Sequence, residues 1–164
     1  AKQYEDEQLR FFVLDLRFPF YINYFVYAFN FFTSFGYFGK DRDHNMAAKS
    51  VAQCLKKGGL LVIDYINREK ALSGLIEEEV ADGGNLKFEI SRKLQNNHFV
   101  KHIRFKDENG VTREFSESVA AFSLGDFMTM FKRAGLSLIS TFGDYQLSNY
   151  DPQYSPRMIM VFKK

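Results

Sequence analysis

The sequence contains a single cysteine and no block of basic residues. One cysteine cannot form an intrachain disulfide or a thiolate metal cluster, so we predict a protein of a reducing, cytoplasmic compartment. Cys54 itself falls on the apolar face of a predicted helix, which favours inert core packing. Lysine and arginine are interspersed with acids and the formal net charge is only +2, so no nucleic-acid partner is predicted.

The chain also lacks a recognisable secretory signal and an uninterrupted apolar span. Residues 1–10 are polar and charged, unlike a signal peptide. Phe18–Phe38 has about the length of a membrane-spanning helix. However, Pro19, Asn23 and Asn30 interrupt this run, which would leave polar groups poorly satisfied in lipid. We therefore predict no membrane partner.

Aromatic residues are abundant, at 17% of the sequence, and several lie in short apolar runs that are typical of buried strands. We predict one strand at Phe11–Leu14, ending at Asp15. A second strand is predicted at Phe25–Phe29, buried on both faces, and a third at Leu60–Ile63, ending at Asp64. Continuous apolar runs of this kind favour a parallel sheet that is covered on both sides.

A helix is predicted between the second and third of these strands. It opens near Asp41 with Asp43 as its N-cap, and Gly58–Gly59 is predicted to end it with a left-handed cap. The apolar residues recur at helical spacing: Met46, Ala47, Ser50, Val51, Cys54 and Leu55. The order of strand, helix and strand predicts an α/β crossover that feeds a parallel sheet.

The hydrophobic pattern of the sequence then changes. Over residues 87–119, apolar and polar residues alternate, which is typical of strands with one wet face. The segment Asp107–Gly110 has the composition of a hairpin turn. We therefore predict an antiparallel meander inserted after the third strand.

The last part of the sequence predicts a helix and two strands. Ser123 begins a capping box, and Gly135 ends the helix that follows. The apolar face of this helix carries Phe127, Met130 and Phe131. Leu136–Phe142 and Met158–Phe162 are then predicted to form a closing antiparallel pair.

Four segments, in this order, resemble the second half of class I S-adenosylmethionine-dependent methyltransferases. They are Phe12–Arg17, Phe29–Phe38, Leu55–Asp64 and Arg133–Leu136. The small-molecule subgroup of that family is suggested by Phe32–Phe38, by Gly143–Tyr145 and by Ser155–Met158. Together these segments extend over nearly the whole chain.

The resemblance implies a partial Rossmann-like α/β methyltransferase domain over residues 1–164. It would contain an inserted antiparallel meander at 85–120, on the substrate side, and a C-terminal antiparallel strand pair. S-adenosylmethionine is the implied cofactor and a small molecule the implied acceptor. The residues do not identify that acceptor, and no catalytic residue is assigned.

The resemblance also implies a cofactor site at the carboxyl ends of the strands, where open α/β sheets bind ligands. The implied cofactor-binding residues are Asp15, Leu16, Asn30 and Phe31, with the Asp15 carboxylate near the adenine amino group. The implied substrate-binding residues are Tyr37, Tyr65, Asn67 and Tyr145. We expect Asp15, Asn30 and Asp64 to lie along one common rim.

The histidines are not assigned to the site. His44 is expected to face solvent in the first turn of its helix. His98 and His102 lie on one face of a predicted strand, but no third ligand accompanies them, so no metal is predicted.

Two departures from the family pattern stand out. The sequence has no Gly-x-Gly turn of the kind that follows the first family strand, and Gly36–Gly39 is the nearest approach to one. Val26 stands where the family commonly has an aspartate. We therefore expect an N-terminally truncated chain that lacks the loop needed for activity on its own.

The missing first strand would leave Phe25–Phe29 as an exposed apolar edge. This edge would be satisfied within a longer protein, or by dimerisation or strand exchange, so a homodimer through the sheet edge is expected. The alternatives are a non-catalytic binding or dimerisation module and another α/β enzyme. A nicotinamide-dependent oxidoreductase is disfavoured by the absence of a dinucleotide fingerprint.

Overall fold

The computed structural model describes residues 2–164 and contains two four-stranded sheets. After a 3₁₀ turn at Lys2–Tyr4, the elements in chain order are β1 Phe25–Asn30, α1 Asp41–Cys54, β2 Leu55–Ile66, α2 Arg68–Ser73, β3 Glu78–Gly83, β4 Leu86–Gln95, β5 His98–Lys106, β6 Thr112–Ala120, α3 Leu124–Arg133, β7 Ser137–Phe142 and β8 Arg157–Lys163.

The first sheet has the strand order β1-β2-β8-β7. Strands β1 and β2 are parallel and joined through α1, with Asn30 opposite Ile63, so the predicted α/β crossover is confirmed. Strand β8 runs antiparallel to β2, with Arg157 opposite Ile66. The start of β8 therefore lies at the same edge of the sheet as the carboxyl ends of β1 and β2. We call this edge the rim.

The second sheet is an antiparallel meander in the order β3-β4-β5-β6, which confirms the predicted meander and its turn at Asp107–Gly110. It begins earlier than predicted, because Glu78–Gly83 forms a fourth strand on β4. Phe88 pairs with Phe105 and Ile90 with Ile103 on one face. We call this the apolar face of the second sheet; the alternate residues of the strands point the other way.

The core lies between the first sheet and helices α1 and α3. Ala47 and Ala48 of α1 are fully buried, and their small side chains allow the helix to approach the sheet closely. Helix α3 begins with the predicted capping box between Ser123 and Asp126. The closing antiparallel pair β7–β8 is confirmed as well.

The predicted strand Phe11–Leu14 is wrong. These residues have no strand geometry, and their side chains are exposed, Val13 completely so. A strand needs hydrogen-bonding neighbours, and no strand of the described residues 2–164 pairs with this segment. The apolar run therefore lies in an extended loop instead of a sheet.

The burial predicted for β1 is also wrong. Val26, Tyr27 and Phe29 are each half exposed or more, because β1 lies at the end of the first sheet and pairs only with β2 among the described strands. The expectation that this strand is an open apolar edge is confirmed.

The predicted caps of helix α1 need correction. Its N-cap is Lys40, without a side-chain cap, whereas Asp43 lies inside the helix. The helix ends at Cys54 and passes directly into β2. Gly58 and Gly59 therefore lie within a strand.

Candidate functional site

The rim is organised around Asp64, a carboxylate that is fully buried. Three donors satisfy it: the Phe32 backbone N–H at 2.8 Å, the Tyr145 hydroxyl at 2.9 Å and Arg157 Nε at 2.7 Å. A buried charge is tolerated only when it is paired and hydrogen-bonded. Asp64 is therefore an anchor that joins the loop after β1 to the start of β8.

The loop after β1 has an unusual backbone. Phe32 and Thr33 have φ angles of 57° and 59°, and this left-handed region is rare for a β-branched residue such as threonine. The Thr33 N–H donates to the Asp64 carbonyl at 3.1 Å, and Arg157 Nη2 donates to Thr33 Oγ1 at 2.9 Å. Strain of this kind persists where surrounding contacts hold it, and it concentrates at functional sites.

Asn30 ends strand β1 beside this loop, and its side chain contains an unused acceptor. Its Oδ1 atom is buried and accepts no hydrogen bond from any residue of the range 2–164. Buried polar atoms are nearly always hydrogen-bonded. An orphaned acceptor at the carboxyl end of a parallel strand is therefore suited to a donor from a ligand.

A cavity of about 480 Å³ adjoins the strained loop, within the range usual for small-molecule sites. Phe32, Thr33 and Tyr37 line it from the segment between β1 and α1. The segment around α2 contributes a second, mainly apolar wall: Ile66, Ala71, Gly74, Leu75 and Ile76. The second sheet closes it with Glu79, Arg92, Lys93, Phe99, Val100, Lys101, Glu117 and Val119.

A larger cavity, of about 630 Å³, lies against the second sheet and is lined by residues such as Glu89, His102 and Arg104. None of the rim residues lines it. We place the candidate site at the smaller cavity, because Phe32 and Thr33 of the strained loop line that one.

Tyr37 and Glu117 form a polar pair in the wall of the candidate cavity. The Tyr37 hydroxyl donates to Glu117 Oε1 at 2.5 Å. This hydrogen bond to a carboxylate, together with partial burial, raises the pKa of Tyr37 to about 12. Tyr37 is therefore a neutral donor at physiological pH, and Glu117 provides acceptor oxygens.

Asp15 forms its side-chain hydrogen bonds with Arg17. Its carboxylate accepts from Arg17 at 2.5 and 3.0 Å, and these hydrogen bonds lower its pKa to about 2. Arg17 Nη1 lies 3.8 Å from Oδ1 of Asp43, in the first turn of α1. The structure therefore brings Asn30 and Asp64 to one rim, while no hydrogen bond among residues 2–164 joins Asp15 to either.

The other two predicted cofactor residues, Leu16 and Phe31, are apolar and partly exposed. Leu16 is half-buried and packs against the core. Phe31 is 44% exposed and stacks on Phe29, with ring centroids 5.4 Å apart. Both offer apolar surface and no charge.

The predicted substrate residues divide into two groups. Tyr37 and Tyr145 are exposed by half or more, and the hydrogen bond to Asp64 raises the pKa of Tyr145. Tyr65 and Asn67, by contrast, are fully buried. This burial argues against the substrate contact predicted for the latter two.

Tyr65 and Asn67 have a structural role, because their side chains bond to backbone groups around the site. The Tyr65 hydroxyl donates to the Ala120 carbonyl at 2.5 Å, which ties β2 to the end of the second sheet. Asn67 Nδ2 donates to the carbonyls of Pro152 and Ser155 at 2.9 and 2.7 Å. Asn67 therefore holds the loop that leads into β8.

Sequence reasoning missed three residues of the site: Thr33, Glu117 and Arg157. Thr33 and Arg157 stand within the segments that carry the family resemblance, which was the available signal. Glu117 had none, because its contact with Tyr37 spans 80 residues. His44 was expected to face solvent, but it is buried in the core.

Across 2–164, no three histidine, cysteine, aspartate or glutamate side chains are arranged to hold a metal ion. In the same part of the chain, no helix has the length and apolar character needed to cross a membrane.

No protein-family model and no curated protein matches this chain. Solved structures do match. A S-adenosylmethionine-dependent methyltransferase from Clostridium acetobutylicum superposes with a TM-score of 0.77 at 15% identity, over 92% of this chain and 62% of its own. The methyltransferase CcbJ from Streptomyces caelestis gives 0.70 at 14% identity, over 85% and 57%.

A third structure, CalS10 from Micromonospora echinaspora, is an amino pentose methyltransferase with S-adenosylmethionine bound. It gives a TM-score of 0.60 at 17% identity, over 91% of this chain and 62% of that one. The chain therefore has a partial Rossmann-like methyltransferase fold with the inserted meander. It spans about three fifths of the length of these structures, from 57% to 62%.

Proposed function

We propose that this chain forms the acceptor side, and part of the cofactor side, of a S-adenosylmethionine-dependent methyltransferase for a small molecule. One observation carries the proposal: the strained Phe32–Thr33 loop, clamped by Asp64, lies with the orphaned Asn30 acceptor where two parallel strands end. Open α/β sheets bind ligands at this edge. The three similar structures described above, all of methyltransferases, support it.

The residues at the rim fit the proposed cofactor in part. Asn30 Oδ1 can accept a hydrogen bond, and Phe31 and Leu16 provide apolar surface. Asp15 fits less well, because Arg17 already occupies its carboxylate. When bound, the cofactor would supply a methyl group on a sulfonium, ready for in-line displacement.

The chain's own residues would align the acceptor and handle its proton. Tyr37 donates its one hydroxyl hydrogen to Glu117 and so orients that carboxylate. Glu117 can then take the proton that an amine or hydroxyl loses as its new bond to carbon forms. The apolar segment around α2 would exclude water from the cavity. Tyr145, whose hydroxyl donates to Asp64 at the rim, would contact the acceptor.

The test is calorimetric binding of S-adenosylhomocysteine to the chain and to Asn30→Ala. We expect the wild-type chain to bind, and the variant to bind about tenfold more weakly, because one buried hydrogen bond to the ligand is lost. Asn109→Ala, in the exposed turn between β5 and β6, is the matched control and should bind as the wild type does. Absence of binding by the wild-type chain would contradict the proposal and favour the non-catalytic module.

We propose further that the open edge of β1 is covered by a second copy of this chain, giving a homodimer. The exposed apolar side chains of this strand support it: Val26, Tyr27 and Phe29. A cytoplasmic location is proposed on the ground that Cys54 has no partner cysteine in the sequence.

A further inference from the structure

Two cations face each other in the wall of the candidate cavity. Arg92 on β4 and Lys101 on β5 are directly opposite in the antiparallel register, so their side chains project from the same face of the sheet. Both line the cavity. Like charges in this position destabilise a sheet, so the pair costs the fold stability unless an anion lies between the two residues.

The acids around these cations offset that cost only in part. Arg92 Nη1 lies 2.7 Å from Glu79 Oε2, which leaves the other N–H groups of its guanidinium free for a second acceptor. Glu117 is opposite Lys101 on β6, but its Oε1 accepts from Tyr37. Among residues 2–164, Lys101 forms no ion pair within 4 Å.

Both cations are partly withdrawn from water. Lys101 is half-buried, and the Arg92 side chain is 29% exposed. Partial burial strengthens their attraction for an anion relative to that of freely solvated side chains. Arginine adds directionality, because its planar group can donate two parallel hydrogen bonds to a carboxylate or phosphate.

We propose that Arg92 and Lys101 form a subsite for an anionic oxygen group, a carboxylate or a phosphate ester. The inference that this subsite binds part of the methyl acceptor rests on the proposed function. Lys101 is next to Glu117 across the sheet, and neighbouring strands are about 4.8 Å apart. The acceptor would thus be a small molecule whose anionic group lies roughly 5–10 Å from its nucleophilic amine or hydroxyl.

The subsite is tested by calorimetric titration of the chain with inorganic pyrophosphate and, separately, with succinate at low salt. We expect at least one probe to bind, and to bind about tenfold more weakly to Arg92→Gln and to Lys101→Gln. Arg92→Lys keeps the charge but loses the planar pair of donors, so it should bind the probe more weakly than wild type and more tightly than Arg92→Gln. Lys87→Gln, which removes a cation from the opposite face of β4, is the matched control.

The outcomes separate the two proposals. Stronger binding of pyrophosphate indicates a phosphate ester, and stronger binding of succinate a carboxylate. If neither probe binds, or if both glutamine variants bind like Lys87→Gln, the subsite is refuted. Binding of S-adenosylhomocysteine to the same variants should be unchanged. Loss of that binding from the wild-type chain would refute the methyltransferase function and leave the anion subsite standing on its own titration.

Discussion

Among single residues, His44 has the most unusual surroundings outside the site. It is 1% exposed, and neither ring nitrogen has a hydrogen-bond partner among residues 2–164. The rings of Phe35, Phe38 and Phe122 surround it, with centroids 4.9 to 5.8 Å away. Burial lowers the pKa of His44, and this effect outweighs the opposite pull of nearby aspartates such as Asp41.

This lowered pKa predicts a loss of stability in mild acid. As the pH falls below about 6.5, the ordinary value, the unfolded chain binds a proton that folded His44 resists, so the free energy of unfolding decreases. Urea titrations between about pH 7 and 5 would show this slope, and His44→Phe should flatten it. His102→Gln, which alters an exposed histidine, should leave the slope unchanged; equal slopes in all three proteins would contradict the prediction.

Among the elements, strand β2 owes its shape to two glycines that were predicted to end a helix. The register between β1 and β2 shifts between Phe25 and Tyr27, and Gly58 has a φ of 78°. Gly59 lies so close to β1 that a Cβ atom there would be 3.1 Å from the Val26 carbonyl oxygen. The pair therefore allows the strand to continue through a bulge.

Substituting Gly59→Ala should destabilise the protein by about 1–3 kcal/mol, because the new methyl group would press on backbone atoms that have no room to move. Gly39→Ala is the control, since a Cβ atom there meets nothing within 4 Å, and its effect should be within about 0.5 kcal/mol. Urea denaturation of both variants measures the difference. A Gly59→Ala protein as stable as the control would show that the close contact is relieved by a small movement.

At the scale of the whole molecule, the open edge of β1 forms an exposed apolar surface. Exposed apolar residues continue from this strand into the loop before it, where Phe18, Ile22 and Tyr24 are each more than half exposed. Monomeric proteins rarely expose large contiguous apolar patches, and a free strand edge is a template for pairing with another chain.

The homodimer proposed above predicts a molecular mass in solution close to twice 19.1 kDa. Light scattering coupled to gel filtration would measure it, and Tyr27→Lys should shift the mass toward one chain, because a charge on the edge opposes strand pairing. Gln95→Lys, at an exposed position on the second sheet, is a control with the same change of one charge. A dilute wild-type monomer would refute the homodimer.

Much of the fold could be predicted because local patterns determine it. The capping box at Ser123, the turn at Asp107–Gly110 and the strand–helix–strand order around α1 each depend on residues close in sequence. The failed strand at Phe11–Leu14 had the right apolar pattern too. It failed because a strand also needs a partner, and pairing is not a local property.

The sequence by itself determined the class of fold, the positions of most helices and strands, and the presence of polar residues where β1 and β2 end. These features follow from hydrophobic periodicity and turn chemistry. Only the tertiary structure decided that Arg157 meets Asp64, 93 residues away, and that Tyr65 is buried while Tyr37 lines the cavity. A side chain's partner across a sheet depends on strand order and register, which are fixed only when the whole chain packs.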